Sequence, residues 1–173
     1  LNKLSDLVEV NAVQKIQIPN VPIQNEFHDS QVGLINADLV HLAGITGRGV
    51  KVAVIDFAFD LNNPKISPNV AYAKSFRYGI DSSTLSLAGL ESEYMHGTAV
   101  AELIVDTAPN ANLFLYTIGY DLEFAMALND AIENKIDIIT IPLGWANLPT
   151  DGTSYITNNV NAAVNEGIMV VVP

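Results

Sequence analysis

Cysteine is absent from this sequence, which excludes both a disulfide framework and a thiolate metal site. Basic residues are scarce. Only 8 Lys and Arg stand against 19 Asp and Glu, a net charge of −11. Nucleic acid, which requires a basic face, is therefore not an expected partner; the acidic excess favours solubility. No apolar run approaches the ~18 residues of a membrane-spanning helix. No glycine-rich loop follows any apolar run, since Gly47-Arg48-Gly49 precedes its run, and this argues against a nucleotide-binding domain. Internal repeats and low-complexity tracts are lacking too. No secretory leader opens the chain at Leu1, and it stops at Pro173 directly after the run 168–172, so it reads as a piece of a longer protein.

Apolar residues are plentiful, at 49% of 173 against 16% charged, enough for a folded core. Residues 2–10 have weak helical spacing, and 13–19 (VQKIQIP) alternate as a half-buried strand does. Residues 20–31, with Pro22, read as a polar linker. Beyond it the rhythm changes. Helices are expected over 35–44, from about Gly97 to Val105, over 122–135 and over 155–166. Strands are expected over 50–56, 70–76, 113–118, 136–141 and 168–172, with a Ser- and Gly-containing loop over 79–95. The inward faces are read as Val100, Leu103 and Ile104; Ala125, Leu128 and Ile132; and Ile156, Val160, Ala163 and Val164. Continuous apolar strands alternating with amphipathic helices imply an α/β fold with a parallel sheet covered on both faces.

Function in such sheets gathers at the carboxyl ends of the strands. Asp56 ends one strand, and His96 opens a predicted helix in EYMHGTAVAEL. Taken singly, each has an ordinary reading: Asp56 caps the following turn, and His96 caps a helix or sits on the surface. Together on one rim they make an Asp–His pair, in which the carboxylate holds one ring nitrogen and the other acts as general base. A helix N-terminus at His96 opposes protonation while the carboxylate favours it.

The runs GRGVKVAVIDFAFD, HGTAVAEL, APNANLFLYTI, AIENKIDIITIPLGW and AVNEGIMVVV, in that order, resemble the subtilisin-like serine proteases (subtilases, peptidase S8) over roughly residues 32–173. The resemblance implies a three-layer subtilisin-like fold, the N-terminal part of its catalytic domain. It implies that Asp56 orients the histidine and His96 is the general base, in the chain order Asp, His, Ser. Leu143 and Gly144 match the segment that pairs with an extended peptide substrate, and Trp145 beside them either walls a subsite or covers the sheet edge. A peptide or protein substrate, a secreted or cell-surface location and peptide-bond hydrolysis follow as expectations. Residues 1–24 resemble the end of a propeptide or are an ordinary N-terminal extension, with 25–31 as linker.

Departures from the family pattern mark the places to check. Phe57 and Ala58 stand where a small hydroxyl residue and Gly are usual. Asn63 replaces a His, Ala99 replaces a second His, and Trp145 stands where Gly is common. Pro142 replaces a Ser and removes a backbone donor near the substrate strand. Calcium is possible by the resemblance, but the family's ligands are not reproduced, Lys65 standing where an acid is frequent, and no cofactor is assigned. The acids and serines of 79–93 lack the spacing of a calcium loop. Gly152-Thr153-Ser154 imitates a nucleophile motif but falls where subtilases have a variable loop, and it reads as helix-capping chemistry. By the family pattern the nucleophilic Ser and the oxyanion Asn lie beyond Pro173, and these 173 residues alone are expected to be inactive. A subtilase-like module that binds peptides without catalysis is the alternative.

Overall fold

Strand β2 (Lys51–Asp56) is buried from Val52 to its end, which is why its sequence is a continuous apolar run with no alternation. The computed structural model describes residues 23–24, 32–78, 91–145, 148–149 and 151–173. In it β2 is flanked by β4 (Asn112–Thr117) and β5 (Ile138–Thr140), and these in turn by β3 (Val70–Ser75) and β7 (Met169–Val171). All four pairings are parallel. Two short strands, β1 (Ile23–Gln24) and β6 (Leu143–Gly144), pair antiparallel apart from this sheet.

Alternate residues feed two cores. Val52, Val54, Leu113 and Leu115 pack with Val100 and Ala101 of helix α2 (Glu91–Thr107). Ala53, Ile55, Phe114 and Tyr116 pack with Phe124 and Leu128 of helix α3 (Asp121–Glu133) and Ala163 of helix α4 (Tyr155–Asn165). The result is the expected three-layer α/β fold. A short helix α1 (Ala37–Leu42) follows a 3-10 turn (Val32–Ile35). The Nε2 of His41 meets the Thr107 carbonyl at 2.8 Å and ties α1 to the end of α2. Gly47, at φ +74°, enters β2 through a turn in which a side chain would lie 2.8 Å from the Ala108 Cβ.

Four expectations are corrected. Helix α2 starts at Glu91, not near Gly97. Residues 91–95, Glu-Ser-Glu-Tyr-Met, contain no Gly or Pro to stop it. The buried face of α3 is Phe124, Ala127, Leu128 and Ala131, with the half-buried Ile132 packed against the same core as expected; Ala125 is only half-buried. The large Phe124 side chain sets which stripe faces the sheet. On α4, Val164 is exposed while Ala163 is buried. Strand β7 is not a fully buried strand: it lies at the edge of the described sheet, with Met169 and Val171 exposed. The readings for 2–10, 13–19 and 79–90 fall outside the described residues.

Behind the sheet's α3 face, Lys74 pairs with Asp130, and Asn134 Nδ2 donates to Asp130 Oδ2 at 2.8 Å. Burial pushes the fully buried Tyr116 phenol well above its ordinary range, and the Asp130 charge adds to this. Tyr72 is raised in the same direction by burial, and Lys74 by its hydrogen bond to Asp130. All three native groups keep a proton that the unfolded chain releases from about pH 10 upward. The stability these groups contribute is therefore complete below that pH and falls as pH rises, by about 1.4 kcal/mol per pH unit for the buried Tyr116 and by less for the more exposed Tyr72 and Lys74. Urea midpoints measured from pH 8 to 11 are expected to drop on the alkaline side, and more gently in Tyr116→Phe.

Candidate active site

The last residue of β2, Asp56, is wholly buried. Its Oδ1 accepts the backbone N–H of Phe57 at 2.7 Å, and its Oδ2 lies 2.8 Å from His96 Nδ1. A buried carboxylate is tolerable only when it is hydrogen-bonded, and here both oxygens are engaged. Phe57 thus supplies a backbone donor where its side chain has none to give. That side chain instead enters the core under the rim.

His96 is the sixth residue of α2, with 9% of its side chain exposed. It does not open the helix, so the N-terminal dipole effect expected from the sequence does not apply; that field fades within the first turn. The two residues after it explain themselves by contact. A Cβ on Gly97 would lie 2.3 Å from the Ala58 carbonyl oxygen and 3.1 Å from the Asp56 Cβ. Only glycine lets α2 approach β2 closely enough for the 2.8 Å bond. Thr98, buried, accepts the Asp60 backbone N–H on its Oγ1 at 2.8 Å. The segment 57–60 is therefore laid against α2, and the Asp–His distance is held from both sides.

Strand β6 follows β5 directly, at the carboxyl end of that strand. Leu143 is buried, Gly144 is half-buried, and Trp145 stacks obliquely on Phe124 with ring centroids 5.1 Å apart. The indole Nε1 of Trp145 is buried with no hydrogen-bond partner among the described residues. The chain's own β1 lies on this strand, Ile23 opposite Gly144 and Gln24 opposite Leu143. This strand falls within 20–31, which reads as linker in the sequence; the strand expected over 13–19 lies outside the described residues. A second residue missed by sequence reasoning is Glu123, whose carboxylate accepts the backbone N–H of Tyr78, Gly119 and Tyr120. A Glu three residues inside a helix start is the only signal it left.

Gly152-Thr153-Ser154 proves to be a cap. Ser154 Oγ accepts the Thr157 N–H at 3.1 Å in the first turn of α4. Asp151 accepts Thr153 Oγ1–H at 2.6 Å and Thr153 N–H at 3.0 Å, which lowers its carboxyl below the ordinary value. Ser154→Ala is expected to cost about 1 kcal/mol of stability and to leave any activity of the intact protein unchanged, as thermal melts and turnover on the same samples will show.

Asn63 ties Glu102 at 2.7 Å, while Lys65 pairs with Asp106 at 2.8 Å and approaches Glu102 at 3.7 Å. An ammonium neutralises those carboxylates, whereas calcium needs oxygens left for it. Among the described residues, no three His, Cys, Asp or Glu side chains gather to hold a metal ion. No helix of the described residues is long and apolar enough to cross a membrane.

The model of the subtilase family matches residues 47–172. Subtilisin E of Bacillus subtilis is 32% identical over 154 residues, covering 80% of this chain and 37% of that protein. A subtilisin of Bacillus sp. (strain TA39) is 27% identical over 150 residues, 79% of this chain and 35% of the relative. The major intracellular serine protease of Bacillus subtilis is 27% identical over 156 residues, 81% and 47% respectively. The chain thus spans between about a third and a half of the length of these curated relatives.

Proposed function

The chain belongs to the subtilase family, and from that premise we propose that the intact protein is a serine endopeptidase with Asp56 as the orienting carboxylate and His96 as the general base. The observation that carries this reading is the buried Asp56–His96 pair, 2.8 Å apart at the carboxyl ends of a parallel sheet. With Nδ1 turned to the carboxylate, Nε2 is the nitrogen that exchanges protons with the nucleophile.

In the proposed reaction a serine hydroxyl attacks the peptide carbonyl as His96 Nε2 takes its proton. The imidazolium so formed is stabilised by the buried Asp56. Collapse of the tetrahedral adduct breaks the C–N bond, and His96 passes the proton to the departing amine. Water, deprotonated by the same nitrogen, then hydrolyses the acyl-enzyme. In this reading the nucleophilic serine and the oxyanion Asn belong to residues that follow Pro173, because Ser154 is committed to a helix cap. The present 173 residues alone do not complete the reaction.

Leu143 and Gly144 take the substrate backbone by strand addition, with Trp145 as a wall of the adjoining subsite. The pairing of β1 with β6 supports reading the N-terminal segment up to residue 24 as an internal ligand of the propeptide kind, with 25–31 as the link to the catalytic part. It also favours the second reading, a family member that binds peptides without cleaving them. A secreted or cell-surface location is the expectation, and comparing culture medium with cell lysate decides between it and the intracellular location that one relative's name states.

A fluorophosphonate probe on the full-length protein tests the proposal. Expected is one adduct on a serine outside residues 1–173, lost in His96→Ala. An unlabelled protein that still binds extended peptides favours the non-catalytic reading. Labelling at Ser154 overturns the assignment of roles.

A further inference from the structure

The loop that leaves Asp56 is joined to α2 by a ladder of polar contacts. Thr98, Glu102 and Asp106 stand four residues apart, so they share one face of the helix on successive turns. Thr98 Oγ1 accepts the Asp60 N–H at 2.8 Å, Glu102 accepts Asn63 Nδ2–H at 2.7 Å, and Asp106 accepts the Lys65 ammonium at 2.8 Å. The same ammonium lies 3.7 Å from Glu102. Beyond Lys65 the loop is anchored by Ile66, wholly buried in the core that holds Val100 and Ala101.

On α2 alone the two acids are badly placed. Carboxylates one turn apart repel each other. Asp106 also lies in the last turn of the helix, the negative end of its dipole, and no basic residue stands in that turn. The pair therefore calls for a cation from outside the helix. Calcium, possible by the family resemblance, does not fit what the loop offers. It needs several free oxygens, yet Asn63 turns its Nδ2 to Glu102 and gives its Oδ1 to the Lys65 backbone N–H at 2.9 Å. An ammonium fits, because it brings three donors and needs no acceptor beyond the carboxylates. Its hydrogen bond to Asp106 holds the Lys65 pKa above the ordinary lysine value. We propose that Lys65 is a resident cation, its ammonium taking the place of a metal ion between Glu102 and Asp106, and that it makes the joint between the Asp56 loop and the His96 helix independent of calcium.

Calcium titration by calorimetry and thermal melts on the full-length protein test this. Lys65→Asp removes the ammonium and adds a carboxylate beside Glu102 and Asp106. It should bind one calcium ion more than the wild type, and replacing EDTA with calcium should raise its melting temperature more than that of the wild type. Calcium held elsewhere in the protein contributes equally to both and cancels. At low salt Lys65→Met should melt roughly 2 °C below the wild type, while Lys65→Arg, which keeps the charge, should melt as the wild type does. Equal numbers of calcium ions on the wild type and Lys65→Asp overturn the proposal, because the acids then either hold the metal already or need no cation. So does a Lys65→Met protein that melts with the wild type, a result that decides the matter even if Lys65→Asp does not fold. Neither measurement reads peptide cleavage, so a failure of the proteolytic reading leaves this inference standing.

Discussion

Replacing His96 by Ala in the intact protein is expected to lower kcat roughly a millionfold, the size of loss measured when the base of a subtilisin triad is removed, and Asp56→Ala by roughly ten-thousandfold on the same precedent. The inequality follows from the geometry. In the proposed mechanism His96 carries the proton in both halves of the reaction, whereas Asp56 touches it only through Nδ1 at 2.8 Å. Removing the carboxylate leaves the imidazole in place but without its orienting partner. The double variant should be no slower than His96→Ala, because the two act as one unit. Single-turnover assays on a quenched peptide read this directly. Equal residual rates in wild type and His96→Ala would remove the general-base role, and a double variant slower than His96→Ala would show that the two act separately.

Gly97→Ala carries the second large effect. Its Cβ would sit 2.3 Å from a backbone oxygen, that of Ala58, and 3.1 Å from the Asp56 Cβ. A flexible side chain could turn aside, but the backbone of 57–60 is held by Asp60 N–H on Thr98 and by Phe57 N–H on Asp56. Either α2 moves off β2 or the loop lifts. The expected cost is about 3 kcal/mol, the upper part of the range for overpacking a tight contact. The same displacement separates His96 from Asp56, so activity should fall more than stability alone explains. Denaturant titration together with kcat on the folded fraction distinguishes the two losses. A variant with normal stability and normal kcat would mean that the close approach is not needed.

Much of this was legible in the chain. The parallel sheet follows from apolar runs such as VKVAVID, because strands buried on both faces cannot alternate. The Asp–His pairing was readable because each residue sits at a motif whose neighbours constrain it. The Gly97 and Thr98 contacts show why the histidine is followed by those two residues and no others. The capping role of Ser154 was equally local, and local chemistry is what a sequence displays best.

Other features were decided only by the fold. The start of α2 at Glu91 places His96 in its second turn, and helix ends of that kind are settled by packing and not by a stop signal. The buried stripe of α3 turns on where Phe124 finds room beneath Trp145. Strand β1 lies on β6 through backbone hydrogen bonds, which every residue but proline can make, so no residue type announced it. Glu123 is the clearest case. Its three donors come from two connections far apart in the chain, and a carboxylate's partners are fixed by distance in space, not by spacing in sequence. The sequence by itself thus determined the sheet, its family and the pairing of Asp56 with His96 on which the proposed chemistry rests. The tertiary structure decided which backbone groups hold that chemistry in place, because those contacts depend on position and not on residue type.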